Sequence, residues 1–273
     1  VDSKNIHNIA LKGNFDDCQK IVKEMFTDNK FREDINMSGV NSINWARIAC
    51  QIVYYFYSSF KFPNKKINFS VPTGNFGDVY AGYVAKKMGL PINKLIVATN
   101  KNDILQRVIN TGDYKPLRVE PSLSPSMDIQ ISSNFERLLF DVLDMNDSKV
   151  VNLMNSLKSE GFFKLKKEEV DIIKKDFYAD KTNDEETKKT IEEIKNKHKF
   201  IIDPHTATAV QALRNIKDDF ETVILGTAHP YKFLETIKLA TGEDMKAPDQ
   251  FANLLDKKEK YDILENKTNV VKE

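Results

Sequence analysis

The sequence predicts an α/β fold built on a parallel sheet, and three observations predict it. Residues 67–71 form an apolar run of strand length; Gly74 and Gly77 then allow a tight turn, and a helical pattern resumes over residues 80–88. A second apolar run, residues 94–99, follows that helix, which is the spacing of a βαβ unit. The alternation returns near the end, where residues 200–202 and 222–225 read as strands. Helices over residues 207–216 and 231–240 follow them.

The remaining elements are justified in chain order. Residues 6–11 read as a strand and residues 16–26 as an amphipathic helix, with Ile21, Val22 and Met25 on its inner face. Residues 43–60 are apolar nearly all round, which predicts a buried helix. The helix over 80–88 stops at Gly89 and Pro91, a common stop arrangement. Residues 111–131 change character, with Pro116, Pro121 and Pro125 among several serines, and read as a connecting segment over the surface or across a cleft. Helix returns over 135–143. Residues 164–199 carry eleven lysines against ten acids and few apolar residues. Glu and Lys at helical spacing over 187–197 predict a solvated helical excursion there.

Composition narrows the function classes. A length of 273 residues suffices for one large or two ordinary domains. Forty-one basic residues against forty acidic ones leave a net charge of +1. That argues against a general nucleic-acid surface, which needs a basic excess to displace counterions. No apolar run approaches the roughly 20 residues that span a bilayer, so no membrane partner is expected. Cys18 and Cys50 lie in helical, partly apolar patterns and lack the clustering of a zinc or redox site. Buried, reduced thiols in a cytoplasmic protein are the expectation.

The glycine turn is the main candidate for chemistry. A strand, a glycine turn and a helix start gather free backbone N–H groups at the positive end of the helix dipole. A phosphate ester can sit there without any lysine. A β-carbon at Gly74 or Gly77 would obstruct close approach of the backbone. The bland alternative is a tight connection that binds nothing. Thr227 lies just past the carboxyl end of the 222–225 strand, where open α/β sheets place their ligands; its plain reading is a helix N-cap. Asn41, Ser42, Asn44 and Arg47 cluster at the start of the 43–60 helix. Set among Ile43, Trp45, Ile48, Ala49 and Ile52, the Arg47 guanidinium needs an anion, either a carboxylate or a ligand phosphate. His205, in Asp203-Pro204-His205-Thr206, reads as a structural histidine facing the ligand end of the sheet. Ser126 and Asp128 either reach a cleft or hold a turn.

The segment Pro72-Thr73-Gly74-Asn75-Phe76-Gly77-Asp78 resembles the cofactor-phosphate loop of threonine synthases, which use pyridoxal 5'-phosphate (PLP). Asn41-Ser42-Ile43-Asn44-Trp45-Ala46-Arg47, Ser124-Pro125-Ser126-Met127-Asp128, Ser132-Ser133-Asn134-Phe135-Glu136-Arg137, Asp203-Pro204-His205-Thr206-Ala207 and Leu225-Gly226-Thr227-Ala228-His229-Pro230 are similar to that family in the same order. The resemblance implies a tryptophan-synthase-β-like fold with PLP between two α/β lobes. It implies conversion of O-phospho-L-homoserine and water into L-threonine and phosphate, with a phosphorylated amino acid as the small-molecule partner. It further implies that Gly74, Asn75, Phe76 and Gly77 hold the cofactor phosphate and that the Thr227 hydroxyl meets the pyridine nitrogen. A substrate-phosphate role falls to Ser42, Asn44 and Arg47. The plainer readings stay open: the Phe76 ring packs beneath the loop, His229 caps, and Lys232 is a surface charge.

In this family the Schiff-base lysine lies in a Phe-Lys-Asp segment upstream of the part resembled. Phe60-Lys61 mimics only its first dipeptide, at a helix end before Pro63. The expectation is therefore an N-terminally truncated portion of a longer enzyme, without a catalytic lysine of its own. On this reading residues 1–40 are the remainder of a smaller lobe, and 41–110 and 200–245 are two parts of the cofactor lobe. Residues 111–199 are the connecting segment and charged excursion, and 246–273 a C-terminal tail. The rival readings are a serine/threonine dehydratase-like PLP enzyme and a non-catalytic protein that binds PLP or a phosphorylated metabolite. The stretches at 41–47 and 124–137 extend the match beyond the cofactor loop and favour the synthase.

Overall fold

A computed structural model of the chain describes residues 3–13, 15–40, 43–249 and 257–273. In chain order its elements begin with β1 (Ile9–Leu11), α1 (Phe15–Thr27), α2 (Asn29–Asp34), α3 (Trp45–Ser59), β2 (Ile67–Pro72), α4 (Gly77–Lys87) and β3 (Ile92–Thr99). Next come α5 (Ile104–Thr111), β4 (Asp113–Tyr114), α6 (Phe135–Val142), α7 (Asp147–Glu160), β5 (Phe163–Lys164), α8 (Lys167–Asp176) and β6 (Phe177–Lys181). Last are α9 (Asp184–His198), α10 (Pro204–Ala212), β7 (Thr222–Ile224), α11 (Leu234–Thr241), β8 (Asp262–Leu264) and α12 (Thr268–Lys272).

These elements divide into two units, residues 1–39 with 247–273, and residues 40–246. In the first unit β1 and β8 pair in parallel, Ala10 opposite Ile263. The segment from 246 onward is therefore more than a tail, since it supplies a strand. On α1, Ile21 is buried as expected, whereas Val22 is exposed.

The second unit is built on a four-stranded sheet in the order β6-β3-β2-β7, parallel throughout. The apolar runs in β2 and β3 are those of strands covered on both faces, and every residue of β2 is buried. Alternation assigns the two faces. Phe69, Val71, Leu95, Val97, Phe177 and Ala179 join the large core formed with α3, α4, α5 and α6. Ile96 and Ala98 point the other way, onto Ala209 and Ala212 of α10. Small residues let α10 close on the sheet, and the Ser70 hydroxyl donates to the Ala209 carbonyl at 2.8 Å.

Four sequence expectations are corrected here. Residues 200–202 form no strand; the chain runs without pairing into α10, and the fourth strand is β6 from the charged stretch. It was hidden because its few apolar residues, Phe177 and Ala179 on one face and the half-buried Tyr178 on the other, stand among many charges. The helix α9 is not wholly solvated, because Thr187, Thr190 and Ile191 are buried on one side. Finally, α3 is not buried all round. Ile48 and Tyr55 face the core, while Val53, Tyr54, Tyr57 and Phe60 are exposed, Phe60 at 73%. Cys50 lies on this exposed side, so the expectation of a buried thiol fails there, and Cys18 is half-buried; both are free. The packing of α3 on α4 depends on Gly82, where a β-carbon would lie 2.5 Å from Tyr55 Cε1.

Candidate functional site

Because all four strands run in parallel, their carboxyl ends open on one edge, where α/β sheets carry ligands. Pro72 of β2 leads into Thr73, whose N–H continues the ladder to the Ala98 carbonyl at 2.8 Å. The chain then turns through residues 74–76 into α4. Phe76 takes a left-handed conformation, φ 64°, which is unfavourable for a bulky side chain. Its ring is buried against Phe135 and Phe177, with centroids 5.3 and 5.6 Å away. Packing thus offsets the backbone strain. A left-handed residue followed by the right-handed Gly77 turns successive N–H groups toward one point, a nest suited to an anion.

The hydrogen bonds of this loop are asymmetric. Its carbonyls are tied: Gly74 O accepts from Ser132 Oγ at 2.9 Å, and Asn75 O from the Asn134 N–H and Nδ2, both at 3.1 Å. Asn75 Oδ1 accepts from Ser133 Oγ at 3.1 Å. Among the described residues, the N–H groups of Gly74, Asn75, Phe76 and Gly77 donate to no protein acceptor. Gly74 itself is constrained by protein, because a β-carbon there would meet Met127 Cα and Ser126 O at 3.2 Å and Ile129 Cδ1 at 3.0 Å.

Thr227 stands on the same edge. Strand β7 pairs with β2 in parallel, Ile224 opposite Ser70, and the Leu225 N–H donates to the Ser70 carbonyl at 2.9 Å. Each chain therefore runs only a few residues past paired positions to reach Gly74 and Thr227. Thr227 is not a cap: the turn beginning at Pro230 is capped by His229, whose Nδ1 accepts from the Tyr231 N–H at 3.1 Å. The Thr227 side chain is exposed and has no protein partner among the described residues. Lys232 is exposed beyond it.

The start of α3 is linked to the loop by a relay the sequence did not reveal. Arg137 donates to the Ile43 carbonyl at 2.7 Å, lies 5.6 Å from the Trp45 ring centroid, and donates through Nε to Asn134 Oδ1 at 3.0 Å. Asn134 in turn holds the Asn75 carbonyl. Asn44 is the N-cap, accepting from the Ala46 N–H at 2.9 Å. Ser42 lies outside the described residues. Arg47 is exposed rather than set in apolar surroundings, so burial does not demand an anion. It donates to the Val40 carbonyl at 3.2 Å and pairs with no carboxylate among the described residues. Lys61 follows the C-cap of α3 and lies 4.9 Å from the Tyr57 ring centroid.

Two further groups shape this edge. Asp128 is the hub of a buried polar network, its Oδ1 accepting from Ser122 Oγ, Asn100 Nδ2 and Asn102 Nδ2 at 2.6, 2.8 and 3.0 Å. It therefore holds a turn rather than reaching a cleft. Asp78, in the first turn of α4, has its carboxyl pushed up to about 6 by burial, partly offset by a hydrogen bond from the Tyr55 hydroxyl at 3.1 Å. At pH 6 and below, the protonated fraction of this carboxyl weakens the repulsion that a full charge behind the loop would exert on an anion.

Comparison with known proteins follows the same outline. A family model described as the C-terminal part of threonine synthase matches residues 206–273. The threonine synthase of Pseudomonas aeruginosa is 46% identical over 267 residues, 96% of this chain and 57% of that protein. That of Saccharomyces cerevisiae is 44% identical over 263 residues, covering 88% of this chain and 51% of its own length. Among solved structures, PLP-bound threonine synthase from Brucella melitensis superposes with a TM-score of 0.93 at 45% identity, over 98% of this chain and 58% of that one. The yeast enzyme gives 0.88 at 39% identity, over 100% and 59%. The chain thus spans little more than half the length of these relatives. Across nearly all of its own length, the chain is similar to just over half of a threonine synthase.

Proposed function

We propose that the edge formed by the 74–77 loop and Thr227 holds PLP, and that the protein of which this sequence is part converts O-phospho-L-homoserine and water into L-threonine and phosphate. The observation that carries this reading is the loop whose carbonyls are tied while its N–H groups have no protein acceptor. An anion is what such a group of donors lacks. The helix α4 adds its positive end. Residues 41–110 and 200–245 supply the cofactor lobe, since the loop comes from the first and Thr227 from the second. PLP, when bound, supplies an electron sink for carbanion chemistry at the amino acid.

The chain's own residues bind and orient. Gly74, Asn75, Phe76 and Gly77 hold the phosphate through the main chain, with Asn75 Nδ2 adjacent. The Thr227 hydroxyl meets the ring nitrogen without bringing a charge, so it fixes no proton there. Arg47, exposed and without a carboxylate partner among the described residues, serves the substrate phosphate beside Asn44 and Ser42. A cytoplasmic setting fits the free cysteines. No helix of the described residues is long and apolar enough to cross a membrane.

The test compares PLP with pyridoxal, which lacks the phosphate, by absorbance titration of the chain. The phosphate should tighten binding about tenfold or more, the least expected of several charge-assisted hydrogen bonds. Equal affinity for the two would remove the phosphate role of the loop.

A further inference from the structure

His205 is buried, lies outside the glycine loop, and has all its ring contacts defined. Its Nε2 accepts from the Ser126 N–H at 3.3 Å. That fixes the proton on Nδ1, which donates to Asp203 Oδ1 at 3.1 Å. Burial alone would raise the Asp203 carboxyl. The hydrogen bonds from His205 and Thr206 outweigh it and hold the group below the usual carboxylate range. The same Oδ1 also caps α10, accepting from the N–H groups of His205 and Thr206. The imidazole is thus locked in one tautomer and orientation by the helix start beneath it, and Phe233 covers it at 4.9 Å between centroids.

The other end of this arrangement is the cofactor loop. Ser126 O and Met127 Cα are the backbone atoms against which Gly74 packs, so closely that a β-carbon would have 3.2 Å to each. The 124–129 segment has no strand to fix it. It is held from one side by the Asp128 hub and from the other by His205. We infer that His205 is a positioning residue for the anion loop: through Nε2 and the Ser126 N–H it sets the wall on which Gly74 rests. This inference rests on the reading of residues 74–77 as an anion site.

The two ring nitrogens allow a discriminating test. In His205→Gln the side-chain oxygen reaches the position of Nε2 and keeps an acceptor for Ser126. In His205→Asn the amide reaches only the Nδ1 position, keeping Asp203 and losing Ser126. With inorganic phosphate as the probe and amide resonances as the readout, the Gln variant should bind within about twofold of the unmutated chain. The Asn variant should bind about fivefold more weakly, the worth of one neutral hydrogen bond, with the Ser126 amide shifted. Equal binding by the two variants overturns the inference. A second measurement needs no mutation. Linkage is reciprocal, so phosphate must slow hydrogen exchange at the Ser126 amide as well as at the loop. Protection of the loop with Ser126 unchanged also overturns the inference and leaves the anion site standing. If phosphate protects no loop amide in the unmutated chain, the anion site itself is wrong and the inference falls with it.

Discussion

At the scale of the residue, Asp78 makes the clearest demand. Its folded carboxyl titrates at about 6, against 3.8 for an ordinary aspartate, because burial penalises the charge. A raised pKa means the folded state binds the proton more tightly than the unfolded chain. Stability from this group is thus fully present below pH 3.8 and is lost as pH rises through 6. The difference approaches about 3 kcal/mol at neutral pH. Asp78→Asn keeps an acceptor for Tyr55 and removes the charge. In urea titrations the variant should match the parent near pH 3.5 and exceed its stability by up to about 3 kcal/mol at pH 8. A gain that is equal at both pH values would show that Asp78 ionises freely. Other residues were less legible. Gly74 and Gly77 announced a turn, but nothing in the sequence said that Ser126 and Met127 form the wall on Gly74. Arg47 was misjudged because its neighbours in sequence are apolar, yet Ile48 turns to the core while Ile43, Trp45 and Arg47 itself face solvent.

At the scale of the element, the βαβ unit from β2 to β3 was readable because both strands are apolar runs bounded by turn residues. Strand β6 was not. It carries Phe-Tyr-Ala-Asp-Lys, with two side chains in the large core and Tyr178 half-buried on the other face, and lies between two charged helices. The sheet edge it occupies needs less apolar surface than a central strand. Its contribution is concentrated in Phe177, buried against Phe76 and Tyr83 at 5.6 and 5.5 Å between centroids. Phe177→Ala should cost about 3–5 kcal/mol by denaturant unfolding, the usual loss for a buried phenylalanine. It should also loosen the left-handed Phe76 that the ring supports. A loss under about 1 kcal/mol would mean that β6 contributes little to the sheet. The Ser132, Asn134 and Arg137 relay escaped detection for a different reason. Apart from the Arg137–Asn134 bond, its links to Gly74, Asn75 and Ile43 join residues far apart in the chain, and sequence spacing carries no sign of them.

At the scale of the whole molecule, the parallel sheet brings two distant stretches to one edge. The strand order β6-β3-β2-β7 makes β2 and β7 neighbours although about 150 residues separate them, as the pairing of Ser70 with Ile224 shows. The opposite edge carries a rival: a cleft lined by Lys94, Asn110, Lys174, Asn215, Lys217 and Asp218. Charge alone would send an anion there. Yet Lys94 and Lys174 already donate to backbone carbonyls at 2.6–2.8 Å, whereas the glycine loop holds donors without protein acceptors. The most direct measurement is therefore an amide chemical-shift map of the isotopically labelled chain titrated with PLP. The amides of Gly74, Asn75, Phe76, Gly77 and Thr227 should move together along one binding curve, while those of Lys94, Lys174 and Lys217 stay still. Shifts confined to the lysine edge, or a loop that responds while Thr227 does not, would contradict a single cofactor site.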